Sequence, residues 1–108
     1  MKGSYLGAFE ELVLLAVEAL TEHAYSANLQ RVLEREARRA VSLGAVHTVL
    51  ERLEAKGLLS SSVSDPIGER GGRRRRVYAA TRDGRAALQE MKAVRHRLAA
   101  VREAPRRG

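Results

Sequence analysis

Residues 42–58, SLGAVHTVLERLEAKGL, carry a complete helix start, a complete helix stop and two unlike faces, and this restricts what the rest of the chain can be. Ser42 is suited to cap the N-terminus by accepting a hydrogen bond from a first-turn amide. Gly57 holds the position of a left-handed C′ residue after Lys56. That puts Leu58 at C″ and Leu53 at C3, the pair whose contact accompanies a Schellman ending. Val46, Val49, Leu50 and Leu53 follow the i, i+3, i+4, i+7 spacing of one buried stripe. The outer face is left with Leu43, Gly44, Ala45, His47, Thr48, Glu51, Arg52 and Lys56, small and polar at its start and cationic further along. A glycine in a first helical turn costs about 1 kcal/mol relative to alanine. Gly44 therefore implies close approach, either by a neighbouring helix or by a partner outside the chain.

The segments before it read as two more helices. LGAFEELVLLAVEAL, residues 6–20, places Leu6, Phe9, Leu12, Val13, Ala16, Val17 and Leu20 at helical spacing, with Leu14 and Leu15 on other faces. Such a helix is too apolar for one buried side, and its charged positions, Glu10, Glu11 and Glu18, are all acidic. Thr21 to Ala24 breaks the pattern. A second helix then runs from about Tyr25 to Glu36, with Tyr25, Leu29, Val32 and Leu33 inward, and a short link leads to Ser42. A short helix, a tight connection and a second helix with a polar outer face make a helix-turn-helix, in which the second helix is the reader.

After Gly57, LLSSSVSD and VYAAT (residues 77–81) read as two strands around PIGERGGRRRR. Pro66, Gly68, Gly71 and Gly72 mark a hairpin tip, and Arg70, Arg73, Arg74, Arg75 and Arg76 load it with charge. A helix-turn-helix followed by a basic hairpin is a winged helix, and the arginines are placed for phosphate contact. Thr81 caps a last helix, with Asp83 in its first turn. Ala87, Met91, Val94, Leu98 and Val101 are spaced 4, 3, 4, 3, the period of a coiled-coil seam, and Leu88 widens it. Arg82, Arg85, Lys92, Arg95, Arg97 and Arg102 make this helix opposite in sign to the first. Either those two helices pair, or two copies of the last helix pair across a twofold axis. The expected class is mainly α (α+β). It comprises a winged helix-turn-helix over residues 1–81, a C-terminal dimerisation helix over 82–104 and a disordered tail over 105–108.

Charge and composition narrow the partners. Residues 1–69 hold seven Lys/Arg against ten Asp/Glu, net −3, and residues 70–108 hold thirteen against three, net +10. A positive field confined to the last third points to a polyanion, and nucleic acid precedes membrane because no bulky aromatic anchors back the charge. With 4% aromatic residues and no tryptophan, a base-stacking platform for single strands is not expected. No cysteine excludes disulfides and thiolate metal sites. His23, His47 and His96 fall on different predicted elements, so neither a metal site nor a cofactor is expected. No nucleophile elbow, phosphate loop or dinucleotide fingerprint occurs, so no catalytic residue is assigned. No signal core or membrane-length apolar run is present, and a soluble, cytoplasmic protein is the expectation. Two function classes remain: a dimeric, sequence-specific DNA-binding regulator, or a winged-helix adaptor that binds a protein or structured RNA.

The order and spacing of YLGAFEELVLLAVEAL, AYSANLQRVLE, VSLGAVHTVLERLEAKGLLSS and ERGGRRRRVYAATRDGRAAL resembles the PadR family of bacterial transcriptional regulators, from residue 5 to about 98. The resemblance implies a winged-helix repressor that dimerises through its last and first helices and binds an inverted repeat in double-stranded DNA. Some members bind small, often aromatic, effectors between the subunits. It matches the short subclass with one C-terminal helix. The implied DNA contacts are Ser42, Leu43, Gly44, His47, Thr48 and Arg52 on the recognition helix, Tyr25 and Ser26 on the helix before it, and Arg70, Arg73, Arg74 and Arg75 on the wing. The implied homodimer interface is Leu6, Phe9, Val13, Ala87, Met91, Val94, Leu98 and Val101. Family members usually carry tyrosine where this chain has His47, and often glycine at Ser26, so no operator sequence transfers directly.

Overall fold

In the computed structural model, which describes residues 6–64 and 74–103, the helix spanning Leu43–Ala55 begins and ends as its sequence requires. Ser42 Oγ accepts from the Ala45 amide at 3.0 Å. At the other end Gly57 has φ 80°, the Gly57 amide donates to Glu54 O at 3.0 Å and the Leu58 amide to Leu53 O at 2.9 Å. These are the two bonds of a Schellman ending. Val46, Leu50 and Leu53 are fully buried and Val49 nearly so.

The remaining elements pack on this stripe. In chain order they are α1 (Ala8–Leu20), a 3-10 turn (Thr21–His23), α2 (Ser26–Ala37), α3 (Leu43–Ala55), β1 (Leu59–Val63), β2 (Arg76–Ala80) and α4 (Arg82–Ala99). The strands are antiparallel with Leu59 opposite Ala80 and Ser61 opposite Tyr78, so Leu59, Tyr78 and Ala80 turn onto the core. An isolated two-stranded hairpin is marginal in water. Here the Tyr78 amide also donates to Ala24 O at 2.9 Å, stitching β2 to the segment just before α2. The order helix, helix, recognition helix, hairpin, helix is that of a winged helix-turn-helix. The tip residues Pro66, Gly68, Arg70, Gly71, Gly72 and Arg73 and the tail 105–108 lie outside the described residues.

Periodicity misplaces two leucines of α1. Leu14, assigned to another face, is fully buried, whereas Leu12, assigned to the stripe, is 37% exposed, and Leu15 is 47% exposed. The polar side of α1 is unusual as well. Glu10 and Glu11 are buried, and each carboxylate is matched by a distant cation. Glu10 takes the Lys56 ammonium at 2.9 and 3.1 Å and the Gly7 amide at 2.9 Å. Glu11 takes the Arg95 guanidinium in a two-point contact at 2.6 and 3.2 Å. Two carboxylates therefore bind α1 to the end of α3 and to the middle of α4.

Of the residues assigned to an interface between copies, Val13 is fully buried in this chain's own core, and Leu6 and Ala87 nearly so. Phe9, Met91 and Val94 are half-buried, while Leu98 is 68% and Val101 53% exposed. Helix α4 stops at Ala99, so Val101 lies just beyond it. The base of α4 is pinned by one close contact. Thr81 Oγ1 accepts from the Gly84 amide at 3.0 Å and donates to Gly57 O at 2.7 Å, and the Thr81 amide donates to Leu58 O at 3.0 Å. Gly84 then lies so near Leu58 that a Cβ on it would stand 2.1 Å from the Leu58 carbonyl oxygen.

The two first-turn glycines should thus respond oppositely to alanine. Gly84→Ala is expected to destabilise the fold by about 1–3 kcal/mol, since backbone must move. Gly44→Ala, whose Cβ would meet nothing within 4 Å, should stabilise it by up to about 1 kcal/mol. Urea titrations of both variants check this. A second expectation concerns Glu10. Burial pushes its carboxyl up, but the Gly7 amide and the Lys56 ammonium outweigh that and hold it below its ordinary value of 4.5. A depressed folded value means stability present above pH 4.5 and lost as pH falls through the folded value. Glu10→Gln should therefore cost about 1–2 kcal/mol at pH 7, with the difference from the unaltered chain shrinking steadily below pH 4.5 in thermal melts.

Candidate nucleic-acid interface

The outer face of α3 is free over its first two turns. Ser42, Leu43, Gly44, Ala45, His47 and Thr48 are all exposed, as is Arg52 further along. The two readings of Gly44 are resolved by the space above it, because no neighbouring helix lies within reach of a Cβ there. Ser42 spends one lone pair on its capping bond and keeps its hydroxyl proton to donate outward. Leu43 offers an apolar contact at the first helical position, the type of group that meets a thymine methyl in a major groove. Among the described residues, the side chains of His47 and Thr48 enter no ion pair and no side-chain hydrogen bond within the chain. Lys56, counted from sequence with the cationic outer face, is instead committed to Glu10.

The entry of α3 is held by a device that sequence gave no hint of. Val41, buried in the α2–α3 turn, has both backbone polar groups bound by side chains one turn apart on α2. Gln30 Nε2 donates to Val41 O at 2.9 Å, and a Glu34 carboxylate oxygen accepts from the Val41 amide at 3.0 Å. The next residue is the Ser42 cap, so the angle at which α3 leaves α2 is fixed by three hydrogen bonds in two consecutive residues.

The wing and the start of α2 come together. Arg75 lies over the Tyr25 ring, 4.3 Å from guanidinium carbon to ring centre, and Tyr25 immediately precedes Ser26, the first residue of α2. A cation held over an aromatic face contributes roughly 0.5–1 kcal/mol at an exposed site, enough to bias where the guanidinium points. Arg75 O accepts from the Ser64 amide at 2.7 Å, which anchors the wing backbone while the side chain stays on the surface. Arg74 is exposed too. Arg76 differs from its neighbours, donating to Ser61 Oγ at 3.0 Å, whose hydroxyl in turn donates to Glu54 of α3 at 2.8 Å. It braces the wing against α3. Arg70 and Arg73 lie outside the described residues.

The described residues contain no cluster of His, Cys, Asp or Glu able to hold a metal ion. Among them, no helix is long and apolar enough to cross a membrane.

Comparison with solved structures finds the same architecture repeatedly. A PadR-like transcription factor from Bacteroides fragilis is 28% identical, with a TM-score of 0.69 over 84% of this chain and 82% of that one. A PadR family transcriptional regulator from Eggerthella lenta is 26% identical, with a TM-score of 0.61 over 82% of this chain and 74% of the other. At 24% identity, a PadR family transcription regulator from Clostridium difficile shares the fold, with a TM-score of 0.71 over 86% of this chain and 92% of its own. No curated protein matches in sequence. These neighbours are transcription regulators rather than enzymes. The family model described as the transcriptional regulator PadR-like family matches residues 13–90, which takes in the later part of α1, the helix-turn-helix, the wing and the base of α4; the chain belongs to that family.

Proposed function

We propose that the protein is a sequence-specific transcriptional regulator, acting as a repressor, that binds an inverted-repeat promoter site in double-stranded DNA as a cytoplasmic homodimer. The observation that carries this reading is the bare first two turns of α3, with nothing above Gly44, together with the Arg75–Tyr25 stack between the wing and the start of α2. A backbone that bare admits the edge of a base pair, and the wing cation supplies the phosphate contact that sets register. Thr48, Ser42 and His47 are the base readers in this arrangement, with Tyr25, Ser26, Arg74 and Arg75 on the backbone of the duplex.

Selection from randomised duplexes tests the reading, with an enriched inverted repeat as the expected product. On that site Thr48→Ala should cost about 1–3 kcal/mol and much less on random DNA. Three arginines per wing on phosphates, in two copies, give a slope of log affinity against log salt near −5. Arg74→Ala with Arg75→Ala should flatten it by roughly 3 to 4 and weaken binding to all sequences alike. A shallow slope from the start, or equal affinity for RNA and DNA duplexes, would favour an adaptor for protein or structured RNA instead.

The homodimer is supported by apolar surface that the monomer leaves uncovered: Leu98 and Val101 at the far end of α4, and Leu12 and Leu15 on α1. Twofold pairing through them would set two α3 helices about one DNA turn, roughly 34 Å, apart. A small aromatic effector seated between the copies would act by altering that spacing. Met91→Glu combined with Leu98→Glu is expected to give a monomer in sedimentation and to abolish operator binding while sparing weak non-specific binding.

A further inference from the structure

One residue of the α2–α3 turn has a backbone at odds with its side chain. Arg38, the C-cap of α2, has φ 58° and ψ 42°. Glycine or asparagine occupies this left-handed region at little cost, and an arginine does not. The turn itself is tightly determined. The Arg38 amide donates to Glu34 O at 2.9 Å, and three residues later Val41 is held at both its N–H and its C=O by Glu34 and Gln30. The Arg38 side chain has no part in that framework. It is exposed, and among the described residues its guanidinium makes no hydrogen bond or ion pair. The nearby carboxylates are already engaged, Glu34 with the Val41 amide and Glu36 with Arg35 at 2.9 Å. Backbone strain held in place by its surroundings tends to mark a functional position, and here the strained residue carries an uncompensated positive charge.

Its location gives that charge a target. Arg38 stands four residues before Ser42, within about 14 Å even of a fully extended chain, on the side from which α3 enters. The major groove that receives a helix is about 12 Å wide and bordered by phosphates on both edges. The surrounding charge is also positive: of the seven Lys/Arg in residues 1–69, which are net negative, four (Arg31, Arg35, Arg38 and Arg39) fall within nine positions that also hold Glu34 and Glu36, a local net of +2. We propose that Arg38 is a phosphate-binding residue that grips the DNA strand beside the groove occupied by α3, a contact separate from the wing. This rests on the reading of the chain as a binder of duplex DNA.

The test is equilibrium binding of the full chain to a random-sequence duplex of about two helical turns, since a phosphate contact needs no operator, with thermal melts alongside. Arg38→Gly relieves the backbone and removes the charge; Arg38→Lys keeps both charge and strain. The glycine variant is expected to melt at or above the temperature of the unaltered chain. It should bind roughly tenfold more weakly near 0.1 M salt, with a salt slope shallower by about 1.8 for two copies. The lysine variant should keep the slope, because an ammonium still meets a phosphate as a point charge. A glycine variant with unchanged affinity and slope overturns the proposal. So does a lysine variant that loses slope as the glycine variant does, and so does a lowered melting temperature accompanying the lost affinity, which makes Arg38 structural. If the unaltered chain itself shows no salt-dependent affinity for the duplex, the DNA reading fails first, and visibly so before any variant is compared.

Discussion

The fold turns on the Leu58 carbonyl. Helix α3, the strand that starts the wing, the strand that ends it and the helix that leaves the domain all meet there. The Schellman ending of α3 delivers Leu58 through Gly57 at φ 80°, the Thr81 amide bonds to the carbonyl, and Gly84 rests against it with no room for a methyl group. Each partner is narrowly specified. Gly57 must be left-handed, Thr81 must both accept from a helix amide and donate to Gly57 O, and Gly84 must lack a side chain. The position of the wing relative to α3 and the direction of α4 follow from this single junction. The hairpin is thus aimed without a large sheet behind it.

Charge does the complementary task on the other side of the molecule. An acidic helix in a chain of net charge +7 could have been a solvated face, yet Glu10 and Glu11 are buried and bound to Lys56 and Arg95. A buried carboxylate without a partner costs several kcal/mol, so pairing here is a condition of packing rather than a bonus. With one carboxylate directed to α3 and its neighbour to α4, α1 holds those two helices in a fixed relation. The Leu12 and Leu15 side of α1 then remains uncovered.

The local parts of this structure were legible in the sequence because their signals are local. Ser42, Gly57 and the Leu53–Leu58 spacing delimit α3, Thr81 marks the start of α4, and the strands fall within two residues of their expected bounds. The misses have one cause in common: they depend on contacts far along the chain. Leu12 and Leu14 exchange places because a helix apolar on most sides has no periodicity to say which side is buried. Lys56 looked like part of a cationic face, and only its pairing with a residue 46 positions earlier withdraws it. Gln30 and Glu34 look like ordinary surface residues of an amphipathic helix until Val41 folds back between them. Gly84 did carry a signal. It is a glycine in a first helical turn, as Gly44 is; at one the cause is a neighbour inside the molecule, and at the other the space is empty.

Helix α4 fully buries only Gly84 and Ala87 of its own length; beyond them Leu88 and Met91 pack half-buried against the core, and the Arg95–Glu11 contact is the strut further out. Mechanically it is a cantilever. From Gly84 to Leu98 is about 21 Å at 1.5 Å per residue, so a tilt of roughly 10° at the fulcrum displaces the far end by about 4 Å. A carbonyl pressed against a bare Cα tolerates sliding and rotation poorly, and one ion pair tolerates them well. The arm is therefore stiff where it is rooted and compliant where it reaches, and a small load applied near its tip is taken up by the arm before it reaches the one junction from which α3 and the wing are both suspended.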